Sequence, residues 1–404
     1  MESERPPFTD GFEEEVDEAG NPRDGYAELL EALGAVDLAE LSAEVTERLE
    51  RHGVVFAGGP FVIDPVPRLI SSTEWESLAE GLAQRTRALN RFLLDAYSDQ
   101  DVVAAGIVSA ETIREAEGFE PDLMGRLPAH QWPAAIVGFD IVRDPDGTFL
   151  VLEDNVRTPS GYAYALAARE ALLEALPAGC PDRRAVDPVT YEMLAAAIAG
   201  AAPSLAGEPS VVVLTDSERN VAYYEHAKAA ARLGAPLVKP GDLIADGEHL
   251  RVRLPDGELR DVDVVYRRTD EDRVRDGQGE LTEVAGKLLP AWLAGNVGLV
   301  NAFGNGLADD KLVHSHVEDF IRFYLDQEPL ARSVPTTSVA AELDNVIDQL
   351  DQLVVKPRHG HGGTGVVIGP HAERGDLDRL AEELQRKPER YICQPTVPLS
   401  RHPT

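Results

Sequence analysis

Residues 353–369 read LVVKPRHGHGGTGVVIG, with Lys356 followed by Gly360, Gly362, Gly363 and Gly365 between two runs of β-branched apolar residues. The spacing Gly360-x-Gly362-x-x-Gly365 matches the dinucleotide-binding fingerprint, and Val367 extends the match to a kinase glycine-rich loop. The segment just after the glycines separates these readings. A dinucleotide fingerprint needs a helix there, so that its N-terminus faces the pyrophosphate, whereas VVIG reads as a strand. A kinase carries its lysine on the strand after the loop, but Lys356 precedes it, and no His-Arg-Asp or Asp-Phe-Gly comes later. The Gly-Lys-Ser/Thr of a Walker loop is also missing. A β-hairpin with a flexible glycine tip remains, its backbone N–H groups free to close over phosphate oxygens without Cβ interference.

Lysine usage sharpens the reading. Of 38 basic residues only six are lysine: Lys228, Lys239, Lys287, Lys311, Lys356 and Lys387. A compact ammonium suits phosphate where a planar guanidinium fork does not fit. Lys311 lies in GNGLADDKLVHSHVEDFIRFYL, residues 304–325. The pattern predicts a helix from Asp309 with Val313, Val317, Phe320, Ile321 and Tyr324 on one face. With Asp309 as N-cap, Lys311 falls in the first turn, where a cation opposes the macrodipole but joins free N–H groups to receive an anion. The alternative is a solvated lysine paired with Asp309 or Asp310.

A second cluster sits in GFDIVRDPDGTFLVLEDNVRTPSG, residues 138–161, which reads as a hairpin turning at Pro145-Asp146-Gly147. If Arg143 pairs with Thr148, Asp140 lies opposite Val151 and diagonal to Glu153. Asp140, Glu153 and Asn155 then share one face by the two-residue period. Two carboxylates and an amide oxygen among core-like Phe139, Val142, Leu150, Leu152 and Val156 are hard-oxygen ligands suited to Mg2+ bridging nucleotide phosphates. Arg157 comes next on that face and suits a phosphate or a substrate carboxylate. Asp154 points the other way and reads as structural.

Composition sets outer bounds. The 404 residues are 43% hydrophobic and 27% charged, ordinary for a globular chain of two or three domains. The net charge of −33 repels nucleic acid and anionic lipid, so neither is an expected partner. Cys180 and Cys393 are too few for a disulfide framework, and no apolar run reaches membrane-spanning length, which points to the cytoplasm. Helices are predicted over 25–52, over 73–98 (opening at Ser72 or Thr73), over about 162–200 and near 375–386. A strand–helix–strand unit covers 209–240, a hairpin covers 250–267 around Pro255-Asp256-Gly257, and RYICQPTV is a strand. Interleaved strands and helices give an α/β or α+β chain.

Taken together, GFDIVRDPDG, LEDNVRTPSG, NVAYYEHAKAAARLGAPLV, VDVVYRRTDED, GNVGLVNAFGNGLADDK, VVKPRHGHGGTGVVIG and YICQPTV resemble the circularly permuted ATP-grasp proteins. That group is related to the synthetase domain of glutathionylspermidine synthetase. The resemblance runs along most of the chain. It implies ATP held between two β-rich lobes beside an open α/β subdomain, with Lys311 and Lys356 on the phosphates and residues 360–365 as the closing loop. Ile392, Cys393 and Gln394 would line the adenine pocket, and Asp140, Glu153 and Asn155 match the magnesium positions. The implied reaction is ligation of a small-molecule or peptide carboxylate to an amine through an acylphosphate, and a protein partner is compatible with it. Arg157, Arg267 and Arg268 are candidates to hold the acylphosphate or carboxylate; the alternative for the last two is a salt-bridge cluster with Asp270, Glu271 and Asp272. The implied division is an acidic disordered tail over 1–24, a mixed helical region over 25–130, the carboxylate hairpin and helices over 131–205, a small α/β unit over 206–250 and the ATP lobe over 251–404. Relatives in this group continue past QPTVPLSRHPT into strands that complete the site, so a chain ending there is expected to bind nucleotide and turn over slowly. Two other functions stay open: a nucleotide-binding scaffold or pseudoenzyme, and a phosphotransferase that stops at a phosphorylated product.

Overall fold

The structure, a computed structural model, describes residues 11–128, 131–181, 184–204, 207–360 and 362–403. One sheet is parallel throughout, in the order Gly298–Val300, Val264–Arg268, Val211–Thr215, Leu237–Val238. Its strand Val264–Arg268 is buried along its whole length, as a central parallel strand covered on both faces requires. Val213, Val264 and Tyr266 pack with Ile198 and Ala229 on one face. Val212, Leu214 and Val265 join Leu288 and Trp292 on the other.

This pairing moves an expected boundary. The turn at 255–257 does close a hairpin, His249–Arg253 on Leu259–Asp261. Val264–Arg268, however, leaves it for the parallel sheet, because five consecutive buried residues cannot serve a solvent-facing hairpin. The α/β unit expected to end at 250 therefore extends to residue 300.

Two further sheets face each other across a cleft. In one, Arg332–Ser333 pairs with Phe149–Asn155, which pairs with Gly138–Arg143. The other is antiparallel, in the order Thr337–Ser338, Tyr391–Pro395, Leu353–Pro357, Val367–Ile368. Helices Leu343–Asp348 and Arg374–Arg386 cover its back, burying Val346, Leu350, Val355, Leu377 and Leu380.

Several predicted helices are broken. The stretch 25–52 divides into Tyr26–Leu33 and Leu38–Arg51, because the Asp37 carboxylate accepts from the Ala39 and Glu40 N–H groups and starts a second helix. The stretch 162–200 becomes Tyr162–Ala175 and Asp187–Ala199. Helix Ser72–Ala96 is capped one residue before the expected opening, by Ser71 in a capping box with Glu74. It docks on helix Val317–Leu325, where Phe92 stacks on Phe320 at 4.3 Å.

The acidic start is a correction too. Residues 1–10 lie outside the described residues, but residues 11–17 and Arg23 pack against the body of the protein instead of forming a disordered tail, with residues 18–22 and 24 exposed. Phe12 sits between the guanidinium groups of Arg23 and Arg143, 4.1 and 4.9 Å away, and Glu14 is buried against Arg143. Cation–π contact and ion pairing hold a segment whose composition alone reads as solvated. Among the described residues, no helix is long and apolar enough to cross a membrane.

Candidate functional site

The cleft between the two facing sheets has a volume of about 640 Å3, in the range of a small-molecule site. Val142 and Leu152 line one wall, and Val354, Val366 and Ile368 the other, giving a flat apolar slot. Asp140, Glu153, Lys311 and Lys356 gather at its polar end.

The carboxylates meet because the hairpin carries a bulge. Arg143 pairs with Phe149, one position from the expected register, and Ile141 pairs with Val151. Leu152 then has no partner, and Asp140 lies directly opposite Glu153 instead of diagonally. The extra residue puts Leu152 and Glu153, neighbours in sequence, on the cleft side together. It also turns Asp154 back into the core, where it is 1% exposed. Burial first, and then the Glu153 charge, raise the Asp140 pKa above the usual aspartate value, while a hydrogen bond from the Asn155 side chain offsets part of the rise. Asn155 itself does not line the cleft.

Lys311 reaches across to this pair. Its Nζ lies 2.7 Å from Glu153 Oε1 and donates to the Gly360 carbonyl at 3.2 Å. The helix that carries it is a single turn, Lys311–His314, separate from Val317–Leu325. Its N-cap is Asp310, which accepts from the Leu312 and Val313 N–H groups at 2.8 and 3.3 Å. Asp309, the expected cap, instead accepts from the Val156 N–H and from Arg157 Nε. The expected anion seat at this helix start is therefore absent: Asp310 already takes the N–H groups, and one turn carries little dipole.

Lys356 lies on the central strand Leu353–Pro357 and is 7% exposed. Burial pushes its pKa below the usual lysine value, only partly offset by Glu153 and Asp140. The loop after it has φ values of 115°, 62° and 73° at Gly360, Gly362 and Gly363, a left-handed backbone that favours glycine. All three line the cleft; Gly365 packs beside Pro357 instead. On the neighbouring strand Gln394 lines the cleft. Ile392 and Cys393, paired with Lys356 and Val355, are buried beneath it.

The three arginines fall elsewhere. Arg157 pairs with Asp309 at 2.8 Å and Asp272 at 3.4 Å, in a notch beyond Gly360 that Glu117 and His359 also line. Arg267 donates to the Asn301 and Ala302 carbonyls and lies 4.1 Å over the Phe303 ring; burial lowers its pKa to about 10. Arg268 donates to the Pro159 carbonyl, Ser160 Oγ and Glu225 Oε1. Neither Arg267 nor Arg268 lines the cleft, and neither joins Asp270, Glu271 and Asp272 in a bridge among the described residues.

Sequence reasoning gave no role to Arg358 and His359, which fix the loop's entry through Asp310, and missed Arg85 and His314, which hold Asp154. Arg85 left a signal: it interrupts the apolar face Leu78, Gly81, Ala88, Leu89, Phe92 of a long amphipathic helix.

A divalent cation fits the polar end. Two acids stand opposite each other, with the Asp140 pKa raised first by burial and then by the Glu153 charge, and a cation would relieve the second. Among the described residues no group of three or more His, Cys, Asp or Glu side chains could hold a metal ion. A cation here would thus rest on the two carboxylates and on oxygens brought by a ligand, as Mg2+ with a nucleotide does.

Comparison with known proteins agrees with this geometry. Residues 67–404 match the family described as circularly permuted ATP-grasp type 2. A Frankia alni protein provisionally named glutamate–cysteine ligase 2-3 is 41% identical over 98% of this chain and 47% of its own length. An uncharacterised Mycobacterium tuberculosis protein is 36% identical over 97% of this chain and 73% of its own. The chain spans about half the length of the Frankia relatives it matches. Among solved structures, a glutathione synthetase-like effector from Globodera pallida, in its apo form, covers 89% of this chain and 81% of its own at a TM-score of 0.52 and 13% identity, a likeness of fold.

Proposed function

Since the chain belongs to the circularly permuted ATP-grasp type 2 family, we propose that it is an ATP-dependent carboxylate–amine ligase. The observation that carries this is the cleft itself: an apolar slot between two sheets, ending in two lysines and two facing carboxylates. The slot suits a purine, and the polar end suits a triphosphate with its cation. In this reading Lys356 and Lys311 hold phosphate oxygens, and residues 360–365 close over them. Asp140 and Glu153, with Asn155 steadying Asp140, would hold Mg2+, which supplies charge neutralisation at the phosphates. A substrate carboxylate attacks the γ-phosphorus, ADP leaves, and an amine displaces phosphate from the resulting acylphosphate. Arg157, beside the loop, is proposed to face the acyl group. Arg267 and Arg268 act at a distance, by holding the strand Val264–Arg268. Relatives' names make L-glutamate and L-cysteine the first acid and amine to try. ADP release that requires both an acid and an amine, across a panel of pairs, supports ligation; ADP release with the acid alone would favour a phosphotransferase, and nucleotide binding without turnover a scaffold.

Mg-ATP is expected to raise the melting temperature, and NAD is not. At a ligand concentration a hundred times Kd the stabilisation is about 2.7 kcal/mol. Stabilisation by NAD alone would overturn the reading.

Lys356→Ala is expected to weaken Mg-ATP binding by about 1.5–3 kcal/mol, the worth of one charge-assisted hydrogen bond. Lys387→Ala, at an exposed helix end, serves as the control. Calorimetric titration decides it: equal affinities for the two variants would remove Lys356 from the phosphate site.

A further inference from the structure

Behind the cleft, Asp154 is fully buried and accepts from Arg85 Nε at 2.6 Å and Nη2 at 2.8 Å. Its Oδ2 also lies 2.7 Å from His314 Nδ1. Arg85 Nη1 donates onward to Ser333 Oγ at 2.9 Å. Both Asp154 oxygens accept from the Arg85 guanidinium, so the group is an acceptor and His314 Nδ1 is the donor. The network joins helix Ser72–Ala96, strand Phe149–Asn155 and the turn Lys311–His314.

Its placement is paired with the cleft. Glu153 and Asp154 are consecutive on the strand, and Lys311 and His314 are one turn apart. Glu153 meets Lys311 at 2.7 Å on the cleft side, and Asp154 meets His314 at 2.7 Å on the core side. A one-turn helix cannot hold its own shape. The Lys311–Glu153 contact cannot be permanent if Glu153 holds a cation and Lys311 a phosphate. Only the core-side contact can then stay made in both states. Stability alone gives no reason for such a group, since buried ion clusters are often no better than apolar replacements.

We propose that Arg85, Asp154 and His314 are positioning residues that clasp the Lys311 turn to the Glu153 strand, so that Lys311 passes from Glu153 to the nucleotide phosphates while its backbone stays in place. This rests on the ATP reading above. The imidazole acts through Nδ1 alone, because Nε2 is buried without a hydrogen-bond partner. An asparagine amide nitrogen occupies about the position of Nδ1, so His314→Asn keeps the clasp and His314→Leu removes it.

The test is a double-mutant cycle on Mg-ATP affinity, measured by titration calorimetry with folding checked by melting. His314→Leu is expected to weaken Mg-ATP about 10–100-fold, the usual loss when a partner that orients a ligand-binding group is removed. His314→Asn recovers most of that loss. In a Lys311→Ala background, His314→Leu adds nothing further, because the residue it acts through is gone. The same penalty in both backgrounds, or wild-type affinity in folded His314→Leu, overturns the proposal. If His314→Leu does not fold, His314→Gln, which keeps a polar side chain but displaces the donor, runs the same cycle with the same criteria. A wild-type chain that fails to bind Mg-ATP overturns the ATP reading and this proposal with it, whereas binding without coupling overturns this proposal alone.

Discussion

In Glu153→Gln, the Mg2+ concentration that half-saturates nucleotide binding rises at least about a hundredfold, and ADP release falls with it. Partners that merely orient metal ligands cost about 10–100-fold when removed, so a charged ligand should cost no less. The fold should tolerate the change. Glutamine keeps the shape, and the Lys311 contact it weakens is part-exposed, worth about 1 kcal/mol or less. Asp140 gives the pH signature. Its folded pKa is raised from 3.8 by burial and by Glu153, so its contribution to apo stability is fully present below 3.8 and is lost as pH rises through the raised value. Removing the Glu153 charge shrinks that loss, so the variant gains on the wild type as pH rises through this window. Mg2+ binding runs the other way, since it needs ionised Asp140 and weakens as pH falls through the same window. An unchanged Mg2+ requirement in the variant would mean that these acids do not hold the metal.

Arg268→Ala is expected to destabilise the protein by about 3–5 kcal/mol, the cost of leaving one partner of a buried ion pair uncompensated. Arg268 is 3% exposed and lies 3.0 Å from Glu225, which is fully buried. Glu225, on the helix Tyr223–Leu233, also accepts from the Gly161 and Ala163 N–H groups at 2.9 and 3.0 Å, so it caps the neighbouring helix Tyr162–Ala175. The pair thus ties the end of a central strand to the start of a helix. Urea unfolding measures the loss. A change under about 1 kcal/mol, the size of a surface pair, with activity abolished, would give Arg268 the direct role in chemistry that its sequence suggested.

The parts of the site legible in the sequence were those written in local period and local composition. A lysine strand, a glycine tip and a second strand need only alternation and turn chemistry, and the structure has the strands at 353–357 and 367–368 and left-handed glycines at 360, 362, 363 and 365. The hairpin was legible for the same reason, but its register was not. A bulge at an apolar residue such as Leu152 leaves no mark in composition, and the direct Asp140–Glu153 pairing depends on it. Arginine roles were the least legible. The side chains of Arg267 and Arg268 point to neighbours 34 and 43 positions away, and nothing in VVYRRTDED distinguishes a core brace from a substrate clamp. The helix breaks at 34–37 and near 315 failed for another reason: apolar spacing carries across a short gap, and only the capping side chains reveal it.

The unpaired Leu152 also makes this strand a counter with one click to spare. Val151 faces the core and Glu153 the cleft; with Leu152 gone, the ordinary alternation of a strand would put Glu153 on the cleft side straight after Val151. The acid's side is therefore indifferent to that one residue, while loss of a residue on either side of it would invert a face. Loss of Leu152 alone would leave both carboxylates on the cleft side, so a search for this signature should let the distance from Gly147 to the Glu-Asp-Asn triplet vary by one.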